Sequence, residues 1–282
     1  MAGAFEIAGV GLHTGAPVRL TARPASPGGG VTFLREDLDG AAPIPALWRS
    51  VATTRLGTEI VGPDGASVRT VEHVMAALAL CGVDDAEIGL DGPEAPILDG
   101  SAADFTREIR RVGVVHVDAP RMVFCADAPI EVRDGERSLR LEPFEGRVLD
   151  VSISFDAAAI GEQRVEVDLD AGAAALDRLA RARTFCQRGE IDAMRADGLA
   201  LGGSLENAIV VDGAEILNDG ELRDPMEFAL HKALDLVGDL ALLGAPVRGR
   251  IVAVRPGHDL NAAFVKRLAE AASRFDPTAF DH

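Results

Sequence analysis

The sequence predicts an α+β fold in two domains, residues 1–118 and 119–282. Three observations point there. Short strand-like segments are joined by tight turns as hairpins, not by the regular strand–helix alternation of a parallel sheet. The two halves have similar content, several strands with helices in each. The pattern changes around Val117–Pro120, which marks the boundary.

Residues 5–10 and 18–23 read as paired strands around the turn Leu12-His13-Thr14-Gly15, and 31–34 as a further short strand. Residues 44–60 mix β-branched and polar types and hold one or two more. Pro63-Asp64-Gly65 is a turn. An apolar helix follows over 71–80, with Thr70 as its N-cap and Glu72 and His73 in its first turn. Residues 86–90 return as a strand, and Ser101 caps a helix that ends at Gly113.

In the second half, residues 123–133 and 139–142 form a hairpin about Asp134-Gly135. Alternation over 147–155 predicts a strand. Residues 176–183 and 190–196 are helical, the second stopped by Gly198. Residues 207–211 and 214–217 make another hairpin about Asp212-Gly213. A helix over 224–243 has a complete start signal: Asp224 as cap, Pro225 at the first position and Glu227 to close a capping box. A strand over 250–254, a loop carrying Gly257-His258 and a helix over 261–271 complete the order.

The 224–243 helix is apolar almost all round, which predicts burial. It nevertheless carries His231, Asp235 and Asp239 four residues apart, on one face. A histidine and a carboxylate stacked in this way can hold a cation between them. Equally, the pair can be a core histidine bonded to Asp235. Buried carboxylates are costly unless paired or bound to metal. Lys232, one of only two lysines in the chain, lies beside His231 or snorkels to solvent.

Composition narrows the function. A net charge of −17 argues against phosphate-mediated nucleic-acid binding and against a polybasic membrane anchor. Three widely spaced cysteines suit a reducing compartment, not a disulfide framework or cysteine zinc site. Neither a signal peptide nor a membrane-spanning stretch is visible. The expectation is a soluble, cytoplasmic protein.

Of six histidines, His282 is terminal and His116 sits in a polar linker. His73 directly follows Glu72, and His258 follows a strand and a glycine. If His73, His231 and Asp235 share one cation, two imidazoles and a carboxylate leave an open fourth position, as in zinc hydrolases. Glu72 could then take a proton from water, and His258 could protonate a leaving amine.

These residues carry a resemblance. Gly9-Val10-Gly11-Leu12-His13-Thr14-Gly15, Thr70-Val71-Glu72-His73, Pro96-Ile97-Leu98-Asp99-Gly100-Ser101-Ala102, Ala182-Arg183-Thr184-Phe185, Leu201-Gly202-Gly203-Ser204, Glu227-Phe228, His231-Lys232, Leu234-Asp235, Gly238-Asp239-Leu240 and Gly257-His258 follow one another in a single order. The set resembles the zinc-dependent UDP-3-O-acyl-N-acetylglucosamine deacetylases of lipid A biosynthesis, over essentially the whole chain. The resemblance implies two similar domains whose helices are sandwiched between two outer, mainly antiparallel sheets. The first domain supplies Glu72 and His73; the second supplies His231, Asp235, His258 and an acyl-chain passage.

It further implies a Zn2+ cofactor on His73, His231 and Asp235, Glu72 as general base, and His258 as general acid oriented by Asp239. Thr184 would help stabilise the oxyanion. Lys232 would contact substrate near the metal. Phe155 would pack on the uridine base, and Phe185, Leu12, Ile191, Ser204 and Leu205 would line the rest of the substrate site. The substrate would be a UDP-linked acylated glucosamine, the protein a monomer without stable membrane insertion, and the product acetate. Ferrous iron would suit similar ligands.

Two alternatives compete. A zinc amidohydrolase of the same architecture would keep this residue set but act on another substrate. A catalytically silent nucleotide-sugar-binding protein would have lost a catalytic residue, and none is lost. One departure stands out: where family members can carry a cysteine or serine, this chain has Gly57.

Overall fold

In the computed structural model the described residues are 1–118 and 121–271, with the backbone of 275 and 276. The predicted boundary therefore abuts residues outside that set, and His282 lies outside it.

The first half contains β1 (Phe5–Val10), β2 (Pro17–Pro24), β3 (Val31–Arg35), β4 (Ile44–Pro45), β5 (Val51–Thr53), β6 (Glu59–Val61), β7 (Ser67–Val68), α1 (Glu72–Leu80), β8 (Ala86–Leu90) and α2 (Ala103–Val112). Its main sheet runs β1-β2-β8-β3-β4, and β5-β6-β7 form a small second one. Pairing is antiparallel except between β3 and β8. In β2 the period-two pattern decides the face: Val18, Leu20 and Ala22 are buried while the intervening residues point outward.

The second half contains β9 (Val123–Cys125), β10 (Ile130–Asp134), β11 (Arg137–Glu142), β12 (Arg147–Ser154), β13 (Glu162–Asp168), α3 (Ala173–Ala180), β14 (Phe185–Gln187), α4 (Arg188–Ala196), β15 (Ile209–Asp212), β16 (Glu215–Ile216), α5 (Glu227–Ala241), β17 (Val247–Val254), α6 (His258–Ala271) and β18 (Phe275–Asp276). The main sheet runs β10-β11-β17-β12-β13, with β9 on β17 and β18 on β9. β12 and β9 each lie parallel to β17. Strands β14, β15 and β16 form a separate small sheet.

The architecture is α+β. Helix α1 packs on α5; α2 contacts α1 and β1, while α5 and α6 contact β12, β13, β10 and β11. Helices α1, α2, α5 and α6 thus lie between the two main sheets, while α4 packs on β14 and β15. One hydrophobic cluster runs through both halves, with Phe33, Phe105, Phe228 and Phe264 fully buried. The α1–α5 approach depends on Gly238, where a Cβ would come within 2.0 Å of the Glu72 carbonyl oxygen. No helix among the described residues is long and apolar enough to cross a membrane.

Several local expectations fail for physical reasons. Helix α5 begins at Glu227 and has no side-chain cap. Glu227 is fully buried and accepts hydrogen bonds from the Arg183 guanidinium and from the backbone N–H groups of Arg183 and Arg223, so it closes no capping box. Thr70 does not cap α1: it sits at φ 59° and its hydroxyl donates to Glu94 at 2.9 Å. Helix α3 ends at Ala180, so residues 181–183 run on as irregular chain toward the site. Helix α6 starts at His258 itself rather than after a loop. Strands β7, β13, β14 and β18 are additional to the expected set.

Candidate metal centre

The site is built on the first turn of α1 and on one face of α5 from its second turn to its last. Glu72, His73, His231, Asp235 and Asp239 are all buried. What aims α1 is a buried carboxylate outside it. Glu94 accepts from the backbone N–H groups of His13 and Thr14 and from the hydroxyls of Thr14 and Thr70, all at 2.8–2.9 Å. It thereby ties the Gly11–Gly15 turn to the residue that turns the chain into α1. On α5, successive turns stack His231, Asp235 and Asp239 as the spacing requires.

The donor atoms of His73, His231 and Asp235 lie within 4.8 Å of one another. The His231 Nδ1–H donates to the Ala182 carbonyl at 3.0 Å, which assigns the lone pair to Nε2. Burial pushes His231 down to about 3, so the ring is neutral. That Nε2 lone pair faces Asp235 Oδ1 at 3.2 Å, and His73 Nε2 lies 3.7 Å from the same oxygen. Burial works against a charged Asp235, yet its surroundings outweigh it, with Lys232 the neighbour that stays charged, and hold the carboxyl well below its usual range. Lys232 Nζ donates to Oδ2 at 2.9 Å, leaving Oδ1 to the histidines. His73 Nδ1 is buried without a hydrogen-bond partner among the described residues. A lone pair set against a carboxylate oxygen repels unless a cation sits between them. Two imidazoles and one oxygen fit a borderline divalent ion such as zinc, with room for a fourth ligand. The backbone carbonyl behind His231 is the outer support that metal-bound histidines use.

Beside this group stands an acid–base pair. His258 Nδ1 lies 2.8 Å from Asp239 Oδ2, and its Nε2 lies 3.8 Å from Glu72 Oε1. Burial opposes charge on His258, but the Asp239 and Glu72 carboxylates prevail and raise it to about 10. Burial pushes the Glu72 carboxyl up. The ring is an acid at neutral pH, and Glu72 is a desolvated carboxyl within reach of the same space.

A cleft of about 470 Å³ opens next to Lys232, lined by Arg137, Phe155, Gln187, Arg255 and Pro256 among others. Phe155 meets Phe185 edge to face at 5.5 Å, and Lys232 Nζ stands 5.5 Å from the Phe185 ring centre. Phe185 in turn lies 6.2 Å from His231. Thr184 adjoins it, its N–H donating to Gly100 at 2.7 Å.

The sequence model described as LpxC, UDP-3-O-acyl N-acetylglycosamine deacetylase, matches residues 1–270. The chain belongs to this deacetylase family. It is 50% identical over 267 residues to the UDP-3-O-acyl-N-acetylglucosamine deacetylase of Anaeromyxobacter dehalogenans, covering 94% of this chain and 85% of the relative. The protein of the same name from Phenylobacterium zucineum is 48% identical, with 93% and 89% covered. That from Myxococcus xanthus is 44% identical, with 98% and 86% covered.

Other residues singled out in the sequence gather elsewhere. Leu12 adjoins the 200–204 loop, its carbonyl accepting from Gly202 at 3.0 Å. In that loop the Ser204 hydroxyl accepts from the Glu206 N–H, and Leu205 is half exposed. Ile191 is half-buried on α4. The hydrogen bonds and ring contacts that assemble the metal group do not include these four among the described residues. A Cβ on Gly57 would stand 3.1 Å from Glu72 Oε1, so a larger residue there would face the centre.

The sequence reading missed Thr58, Asn261, Arg137 and Arg255. Thr58 donates its N–H to Glu72 at 3.0 Å and its hydroxyl to Asp239 at 2.6 Å. Asn261 Nδ2 donates to Asp239 at 2.8 Å. None carries a local motif. Asn261 shares a face with His258 only because α6 begins at His258, three residues earlier, and not at 261.

Proposed function

We propose that the protein hydrolyses the 2-acetamido group of UDP-3-O-(3-hydroxyacyl)-N-acetylglucosamine and releases acetate, the committed step of lipid A biosynthesis. The observation that carries this reading is the buried His73–His231–Asp235 group flanked by one carboxyl, Glu72, and one charged imidazole, His258. Membership of the deacetylase family supports the choice of substrate.

Zinc on His73, His231 and Asp235 would polarise the amide carbonyl and bring the pKa of a bound water to about 7. Glu72 accepts a proton from the attacking water. His258 Nε2 delivers a proton to the departing amine nitrogen as the C–N bond breaks. Asp239 holds the ring through Nδ1, so that Nε2 points inward, and favours its charged form. The Thr184 hydroxyl donates to the amide oxygen as charge builds there. Lys232 keeps Asp235 ionised and reaches the substrate from the cleft side.

In the cleft, Phe155 and Phe185 offer aromatic faces for the uracil ring, while Lys232, Arg137 and Arg255 supply positive charge for the diphosphate. Leu12, Ile191, Ser204 and Leu205 border the acyl chain. On this reading the protein works in the cytoplasm as a monomer.

The test is acetate release from this substrate by purified protein, before and after chelation, with zinc added back. Loss on chelation and recovery with zinc is the expected result. No turnover by folded, zinc-loaded protein across several acyl lengths would sink the assignment.

A further inference from the structure

We infer that Thr58 is a positioning residue that holds the acid and the base of this site in one geometry, an inference that rests on the roles proposed above for Glu72 and His258. Thr58 is buried immediately before β6, and each of its polar groups bonds toward the site. Its N–H donates to Glu72 Oε2 at 3.0 Å. Its carbonyl accepts from Val71, the residue before Glu72, at 3.2 Å. Its hydroxyl donates to Asp239 Oδ1 at 2.6 Å.

The two carboxylates are oriented as a result. Glu72 Oε2 is held by Thr58, so Oε1 is the oxygen that faces His258 Nε2 at 3.8 Å. That gap is too long for a hydrogen bond, so the two groups stay free to act on different atoms. Asp239 Oδ1 is held by Thr58, so Oδ2 is the oxygen presented to His258 and Asn261, at 2.8 Å each. The Thr58 hydroxyl is itself 3.5 Å from His258 Nδ1, and so acts on the ring through Asp239. A residue that only satisfied buried groups could do so with its backbone. Here the hydroxyl bonds α5 while the backbone bonds the start of α1, and one residue spans the acid and the base.

The experiment compares Thr58→Val, Thr58→Ser and Thr58→Ala in the full chain. Valine keeps the shape and removes the hydroxyl. Charge-assisted hydrogen bonds of this kind lead us to expect kcat about tenfold lower in Thr58→Val, with KM within about twofold. Metal content should be unchanged. Serine should restore kcat to within about threefold. The His258 Nδ1 proton resonance, read by NMR on the resting protein, should move upfield in the valine and alanine variants and stay in place in the serine variant.

Valine or alanine variants with wild-type kcat and an unmoved resonance would overturn the inference. So would a serine variant no better than valine, with metal content and melting temperature falling together. If the wild-type protein shows no deacetylation, the functional assignment fails, while the resonance comparison still reports whether the Thr58 hydroxyl orders the Asp239–His258 pair.

Discussion

Asp239 Oδ2 and His258 Nδ1 lie 2.8 Å apart, joining the last turn of α5 to the first residue of α6. The contact sets the direction and the charge of the ring together. In chelated protein His258 should titrate far above the usual ~6.5 for histidine, near the value of about 10 that Asp239 and Glu72 impose against burial. The sign follows from a folded value above the unfolded one. The stabilisation is complete below the unfolded value and is lost as pH rises through the folded one. Asp239→Asn should lower kcat/KM by about 10²–10³-fold and bring the alkaline limb of its pH profile to lower pH. An unmoved limb would show that Asp239 does not set the acid.

The metal group makes a separate prediction. His231→Ala or Asp235→Ala should each leave a folded protein with little bound metal and activity down by about 10³-fold or more. Elemental analysis after dialysis reads this directly. Full metal content in either variant would remove that residue from the ligand set.

Lys232→Met tests the cleft. The substitution keeps most of the apolar stem but removes the charge beside Asp235 Oδ2 and Phe185. Binding of UDP should weaken about 10-fold, since charged hydrogen bonds of this type contribute about 1.5–3 kcal/mol. Calorimetric titration with UDP checks it, and an unchanged affinity would place the nucleotide elsewhere.

Stability should respond to acid through Asp150 on β12. The side chain is buried and accepts from both Arg164 and Arg250 at 2.6–2.7 Å. Hydrogen bonds from Arg164, then Arg250, outweigh burial and lower it to about 2. With the folded value depressed, this contribution is present above the unfolded value of about 3.9 and is lost as pH falls through about 2. Melting temperatures of wild type and Asp150→Asn should differ at pH 6 and converge near pH 2 (roughly the window these values define).

Gly238→Ala should be among the most damaging single-methyl changes. The added carbon would meet the Glu72 carbonyl oxygen at 2.0 Å, a backbone atom that cannot step aside without moving α1. We expect about 3 kcal/mol of lost stability, seen in urea unfolding, with metal affinity falling too because His73 follows Glu72.

Much of the fold was legible because its signals are local. Alternation marked β12, and continuous apolar runs marked α1 and α5. Helix starts were read less well. Thr70 and Glu227 have capping chemistry, but each is claimed by a distant partner: Thr70 by Glu94, Glu227 by Arg183. The ordered motifs anticipated most of the candidate site, whereas Thr58, Arg137 and Arg255 stand in segments with no pattern of their own.

The sequence by itself determined the relation between His231, Asp235 and Asp239, because residues four apart on one helix share a face whatever surrounds them. It also determined the chemistry on offer: two imidazoles, a carboxylate and an acid–base pair. The tertiary structure alone decided which of these meet. Thr58 reaches Asp239 across 181 residues, and Glu72 reaches His258 only because α1 lies against α5 at Gly238. Such distances depend on how two helices and two sheets pack, a property of the whole core that no local pattern encodes.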